Sequence, residues 1–154
     1  MAYRDRMVNR VIVPHDYSPE ADRALAWGAA LVHSTGGSLV LLHVILVPAP
    51  PIPKLPMIPA LRPTEDPEAS LAKLREAAER HGVNAEIDVF ETNDAGPGIV
   101  TRATDLGGDL IVIGGSAQGR GNLSRAFRAS VIDHVVWNAA CPVVVVRSPK
   151  SEEA

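Results

Sequence analysis

Short, almost wholly apolar runs rich in valine, isoleucine and leucine alternate along this chain with stretches whose apolar residues recur at helical spacing. Val11-Ile12-Val13, Leu39 to Val47, Leu110 to Ile113 and Val143 to Val146 are such runs. A strand reads apolar at successive positions when helices cover both of its faces, so these runs demand a parallel sheet between helical layers. Ala85 to Phe90 instead alternates, as a half-exposed or edge strand does.

The intervening segments supply the helices. Ser18 is a candidate N-cap with Pro19 at the first helical position, and Ala21, Ala24, Leu25, Gly28, Leu31 and Val32 carry the helix to about Thr35, where Gly36-Gly37 stops it. Glu68 to His81 reads as a second helix ended by Gly82. Gly96-Pro97-Gly98 opens a third, Ile99 to Leu106, stopped by Gly107-Gly108, and Ser130 to Ala140 is the fourth. The order β-α-β-α-β-α-β-α-β needs long right-handed crossovers between parallel strands. The expected fold is therefore α/β: a single domain over 1–154 with a doubly wound five-stranded parallel sheet, strand order 3-2-1-4-5, and helices on both faces. Ligands in such sheets sit beyond the carboxyl ends of the strands where the order reverses, here between the first and fourth strands. The segments that follow those strands are Pro14 to Ser18 and Gly114 to Gly121.

The second of these is a glycine-rich turn, Gly114-Gly115-Ser116-Ala117-Gln118-Gly119-Arg120-Gly121, leading towards Ser130. Strand, glycine turn and helix in succession point backbone N–H groups at an anion. Arg120, Arg125 and Arg128 either clamp a polyphosphate or form a solvated basic face. Between Pro48 and Pro67 the chain places eight of its 13 prolines in twenty residues, which no helix or sheet interior tolerates. This 48–67 insertion is either an extended surface loop or an arm for a protein partner, with Ile52, Leu55, Met57, Ile58 and Leu61 as its apolar members.

Bulk properties exclude several function classes. At 154 residues and 46% apolar the chain makes one domain with a real core. Its 15 basic and 18 acidic residues are interspersed, without the basic stripe that duplex nucleic acid requires. Cys141 is the sole cysteine, so there is no internal disulfide and no multi-thiolate metal site, and a reducing cytoplasm is the expected setting. The first residues carry no signal-peptide core and no apolar run approaches a membrane span. The five histidines share no metal-ligand spacing. His43, inside a strand, is expected to be a hydrogen-bonded core residue. His15, beside Asp16 at a strand end, is the histidine nearest the expected site. No Gly-Lys-Ser/Thr signature and no activated nucleophile is visible, so no catalytic residue is assigned and efficient phosphoryl transfer is not expected.

Val11 to Ser18, Leu41-Leu42-His43-Val44, Asp109 to Gly114, Ala129-Ser130-Val131 and Cys141-Pro142-Val143-Val144-Val145-Val146 together resemble the successive landmarks of the universal stress protein family. The resemblance implies a stress-response regulatory α/β dimer. One branch of that family binds ATP through a glycine, two residues, a second glycine, nine residues, then Gly-Ser or Gly-Thr. Carried over, it implies that Pro14 and Val44 line an adenine slot and that Asp16 accepts bonds from base or ribose. Gly119, Ser130 and the N–H of Val131 would hold phosphates at a helix start, and any Mg would accompany those phosphates. His15, Gly114, Gly115, Ser116 and Arg120 complete the expected nucleotide site. The chain departs from the pattern in its longer glycine turn, in Ala129 at the third glycine, and in Arg128 where the family usually has leucine. The alternative expectation is a homodimeric interaction protein of the same fold that has lost nucleotide binding. In either case the Val143 to Val146 edge strand is expected to pair two copies.

Overall fold

Val11, Ile12 and Val13 are fully buried, and they form the centre of the molecule. The computed structural model describes residues 8–47, 65–115 and 123–147. Its elements are β1 (Arg10–Pro14), α1 (Pro19–Thr35), β2 (Ser38–Leu46), α2 (Pro67–Arg80), β3 (Ala85–Thr92), α3 (Ala95–Asp105), β4 (Leu110–Gly115), α4 (Leu123–Asn138) and β5 (Val143–Arg147). The five strands form one parallel sheet ordered β3-β2-β1-β4-β5, as the alternation of runs predicts. The alternating Ala85 to Phe90 run lies in β3, an edge strand, and the almost wholly apolar runs of β1, β2 and β4 lie inside the sheet.

Strand parity divides the core into two layers. Val11, Val13, Leu39, Leu41, Leu110 and Val112 face α1 and α2, where they meet Leu25, Val32 and Leu74. Ile12, Val40, Leu42, Ile111 and Ile113 face the other way and pack with Ile99, Ala103 and Val135 of α3 and α4. Gly28 lets α1 lie close on the first layer, since a Cβ there would stand 3.1 Å from Val13 and 3.3 Å from Leu39. Ser18 caps α1 by accepting the Ala21 N–H at 3.1 Å, and Gly36 ends it at φ 72° with its N–H donated to the Val32 carbonyl.

Three helix boundaries differ from the expectation. Pro67 is the first residue of α2, capped by the Asp66 carboxylate, and so does not belong to the insertion. Residues 48–64 of that insertion lie outside the described residues. Gly96-Pro97-Gly98 lies inside α3, because proline costs nothing in a first turn whose N–H groups lack partners anyway. The two glycines there are packing residues: a Cβ on Gly96 would meet His134 at 2.9 Å, and one on Gly98 would meet Thr92 at 2.7 Å. Finally, α4 begins at Leu123 rather than at Ser130, since Leu123, Arg125 and Ala126 are good helix formers with no breaker after them. Among the described residues no helix is long and apolar enough to cross a membrane.

Candidate functional site

At the carboxyl ends of β1 and β4 the sheet order reverses, and a cavity of about 120 Å³ opens there between the sheet and the α3/α4 layer. Its walls are apolar, chiefly Pro14, Val44, Ile99, Ile113, Val131 and Ile132. The volume is below the roughly 300–1,000 Å³ of drug-sized ligand sites, and suits a planar ring rather than a whole nucleotide. Parity explains the lining: Pro14 and Val44 follow Ile12 and Leu42 on the α3/α4 face of their strands.

Asp16 stands at the rim. Its Oδ1 accepts the Ser18 N–H at 3.1 Å and a short bond from the Ser18 hydroxyl, while Oδ2 receives the Nε–H of Arg128 at 3.0 Å. Arg128 reaches down from α4 and also donates through a terminal nitrogen to Glu20 Oε2 at 3.2 Å. One guanidinium thus bridges two carboxylates on the β1–α1 segment. Gly114 completes the rim, and its missing side chain is explained by packing. A Cβ there would fall 2.2 Å from the Glu20 carbonyl oxygen, so only glycine lets the first turn of α1 close on the end of β4.

His15 and His43 belong to the opposite face. The His15 Nδ1 accepts the Tyr17 N–H at 3.0 Å, which leaves Nε2–H to donate to Asp22 at 2.9 Å. Burial lowers the His15 pKa against the opposing pull of Asp22, so the ring is neutral at pH 7 and the contact is a hydrogen bond to a carboxylate. Burial alone would raise the Asp22 pKa, but His15, Arg80 and His81 outweigh it and hold the carboxyl below its ordinary value. His43 is buried as expected, with Nδ1 against the His15 carbonyl at 2.7 Å and Nε2 against Glu65 at 2.7 Å. Tyr17 stacks on His43 with ring centroids 4.4 Å apart, carries the Lys73 ammonium 4.9 Å above its own centroid, and has a left-handed φ of 67°. A non-glycine residue in that region costs on the order of 1–3 kcal/mol and is kept only where its neighbours enforce it.

Of the residues expected from the sequence, Pro14, Asp16, Val44, Gly114 and Val131 meet around this cavity. His15 reaches it too, while its imidazole is fully engaged on the other face. Gly115 lies elsewhere, in a shallow groove with Ala129, Ile132 and Val145 beside β5. Ser130 is exposed inside α4, well past the helix start at Leu123, so neither it nor Val131 offers a free helix N-terminus. Ala129 is helical and has no positive φ, so alanine at the third glycine's place carries no backbone strain. Ser116, Gly119, Arg120 and the Arg125 side chain lie outside the described residues. Sequence reasoning missed Glu20, which looks like an ordinary acidic residue of a first helical turn, and Ala95 and Ile99, which close the cavity from α3. Burial pushes the Cys141 thiol pKa up, with Asp109 adding to the effect, as suits a packed residue. Among the described residues no group of three or more His, Cys, Asp or Glu side chains is placed to hold a metal ion.

The sequence profile of the universal stress protein family matches residues 7–147. A universal stress protein of Mycobacterium tuberculosis is 30% identical over 153 residues, covering 94% of this chain and 50% of its own length. One from Methanocaldococcus jannaschii is 38% identical over 88 residues, covering 57% of this chain and 50% of its own. The chain thus spans about half the length of the curated relatives it matches. Among solved structures, universal stress protein UspA from Lactobacillus plantarum superposes with a TM-score of 0.67 at 23% identity, covering 93% of this chain and all of that one. A universal stress protein in complex with cAMP gives 0.63 at 18% identity, with 92% and 98% covered. A family member from Arabidopsis thaliana with AMP bound gives 0.64 at 20%, with 95% of both chains covered.

Proposed function

This chain belongs to the universal stress protein family, and from that premise we propose that it is a stress-response regulatory module that binds an adenine nucleotide where its sheet order reverses. One observation carries the reading: a ring-sized apolar cavity between the ends of β1 and β4, with the Asp16 carboxylate at its rim. The base enters between Pro14, Val44, Ile99 and Val131, and Asp16 accepts a ribose hydroxyl on the lone pair that Ser18 and Arg128 leave open. The complexes of similar folds with cAMP and AMP support this placement. Since Ser130 and Val131 lie inside α4, phosphate-binding N–H groups come from residues 116–122, with Ser116, Gly119 and Arg120, and from the first turn of α4. ATP is the nucleotide the family motif implies, with Mg on its phosphates. The setting is the cytoplasm, and the active form is a homodimer paired along β5. Titration calorimetry with AMP, cAMP and ATP tests the reading. Binding by the native protein, weakened at least about tenfold in Asp16→Ala, supports it. Absence of heat for every nucleotide at millimolar concentration sinks it.

A second reading rests on the same carboxylate. Arg128 already occupies Asp16 Oδ2, as in a site closed on itself, which favours an interaction protein that has given up nucleotide binding and uses the proline-rich arm or β5 for partners. Mass spectrometry of small molecules released from freshly purified protein separates the two. A stoichiometric adenine nucleotide excludes the second reading.

A further inference from the structure

Glu20 has no part in the adenine slot, yet its carboxylate lies at the mouth, 20% exposed and 3.2 Å from the guanidinium of Arg128. Among the described residues lining the cavity, Arg128 is the only cation. Asp16 and Glu20 both draw on it, so among the described residues this mouth carries two negative charges against one positive. Glu20 is fixed there by its backbone. Its carbonyl rests against Gly114 with no room for even a methyl group, which holds this first turn of α1 against the end of β4. A phosphate arriving beside Arg128 therefore arrives beside Glu20 as well.

We infer that Glu20 sets the charge preference of the site, making its ligand class a nucleoside or nucleoside monophosphate and discriminating against polyphosphates. The inference rests on the adenine-nucleotide reading and deepens it. Arg128 has five N–H donors, of which the contacts to Asp16 and Glu20 use two, so one phosphate can be accommodated without releasing either acid. A phosphate monoester carries about −1.5 to −2 at neutral pH, and every further phosphate adds negative charge beside Glu20, whose carboxylate already shares Arg128 with Asp16. Like-charge juxtaposition in a partly dehydrated mouth acts on specificity more than on raw affinity.

The test compares the dissociation constants of AMP and ATP, measured by calorimetry without metal, for the native protein and for Glu20→Gln and Glu20→Asp. The native protein is expected to prefer AMP. In Glu20→Gln the ratio Kd(ATP)/Kd(AMP) falls about tenfold, while Glu20→Asp, which keeps the charge, retains most of the native ratio. A Glu20→Gln ratio within twofold of the native value overturns the inference and leaves nucleotide binding standing. Silence with both nucleotides removes the parent reading and this inference with it. The native protein alone supplies an independent check should the variant fold poorly. Added salt screens a net negative mouth and lowers Kd(ATP)/Kd(AMP), whereas a ratio that rises with salt means a net positive mouth and overturns the proposal.

Discussion

The imidazole of His15 shows how one residue's place in the pleat decides its role. Residues 14 and 16 face the cavity, so residue 15 faces α1 and α2, where its two nitrogens bind the Tyr17 N–H and Asp22. Adjacency to Asp16 in the sequence suggests a ligand contact; the alternation of β1, continued one residue past its end by the His15 N–H bond to the Leu42 carbonyl, places the ring on the other side of the sheet. Burial is the chief cause of its lowered pKa, so folding favours the neutral ring. The unfolded chain then binds the proton more tightly, and stability falls as pH drops below the ordinary value of 6.5 towards the lower folded value. The Asp22 contribution has the same sign but a lower window, being lost only as pH falls through the carboxylate range below 3.8. Urea unfolding of native protein and His15→Asn between about pH 7.5 and 5 is expected to show a shallower loss of stability in the variant. Equal slopes would mean that His15 has the same pKa folded and unfolded.

At the scale of elements, Asp109 joins two strands that are far apart in sequence. Its carboxylate accepts the Asn9 N–H at 2.9 Å and the Arg10 N–H at 3.0 Å, and its own N–H donates to the Arg10 carbonyl at 3.0 Å. The start of β4 is thereby clamped to the start of β1, the pair whose far ends frame the cavity. Asp109→Ala leaves two backbone donors without their acceptor and is expected to cost about 1–2 kcal/mol in equilibrium denaturation, with the m-value unchanged. A loss below about 0.3 kcal/mol would show that water replaces the clamp. Nothing in the sequence marks this role, because it depends on register between strands a hundred residues apart. The strands themselves were legible: β1, β2, β4 and β5 are the apolar runs, and β3 is the alternating one. Helix starts were less so. Gly96-Pro97-Gly98 carries the composition of a turn, yet helical packing against His134 and Thr92 requires those glycines. Ser130 looks like a helix-opening hydroxyl from the family motif, while the helix formers before it carry α4 back to Leu123. The site divides in the same way. Its apolar walls follow from strand parity, whereas the Asp16–Arg128–Glu20 bridge depends on where α4 crosses the β1–α1 segment, a tertiary fact with no local signature.

On the scale of the whole molecule the sheet is finished on every side but its margins, and β5 is the more apolar margin. Val143 to Val146 are only half-buried there, with Trp137 79% exposed and Val136 43% exposed on α4 nearby. A valine-rich edge that no other strand covers among the described residues is a template for pairing, and a two-fold axis would close it with a second copy. The ladder on the β4 side fixes which backbone groups are available. The Ile111 N–H donates to the Pro142 carbonyl at 3.0 Å, and in a parallel pair this directs the N–H groups of Val144 and Val146 to β4 and those of Val143 and Val145 outward. Val145→Pro therefore removes an outward donor and leaves the inner ladder intact, the one setting in which a strand accepts proline. Its side chain also touches the Gly115 and Ile132 layer, so some loss of melting temperature accompanies the change. Light scattering coupled to size exclusion is expected to show a native dimer and a Val145→Pro monomer with unchanged far-ultraviolet dichroism. A native protein that elutes as a monomer at about 100 µM, a concentration at which any dimer with a Kd of about 1 µM (binding free energy about −8 kcal/mol) would persist, would refute pairing at this edge. A variant that stays dimeric would place the interface elsewhere, with the exposed face of Trp137 and Val136 next to be tested.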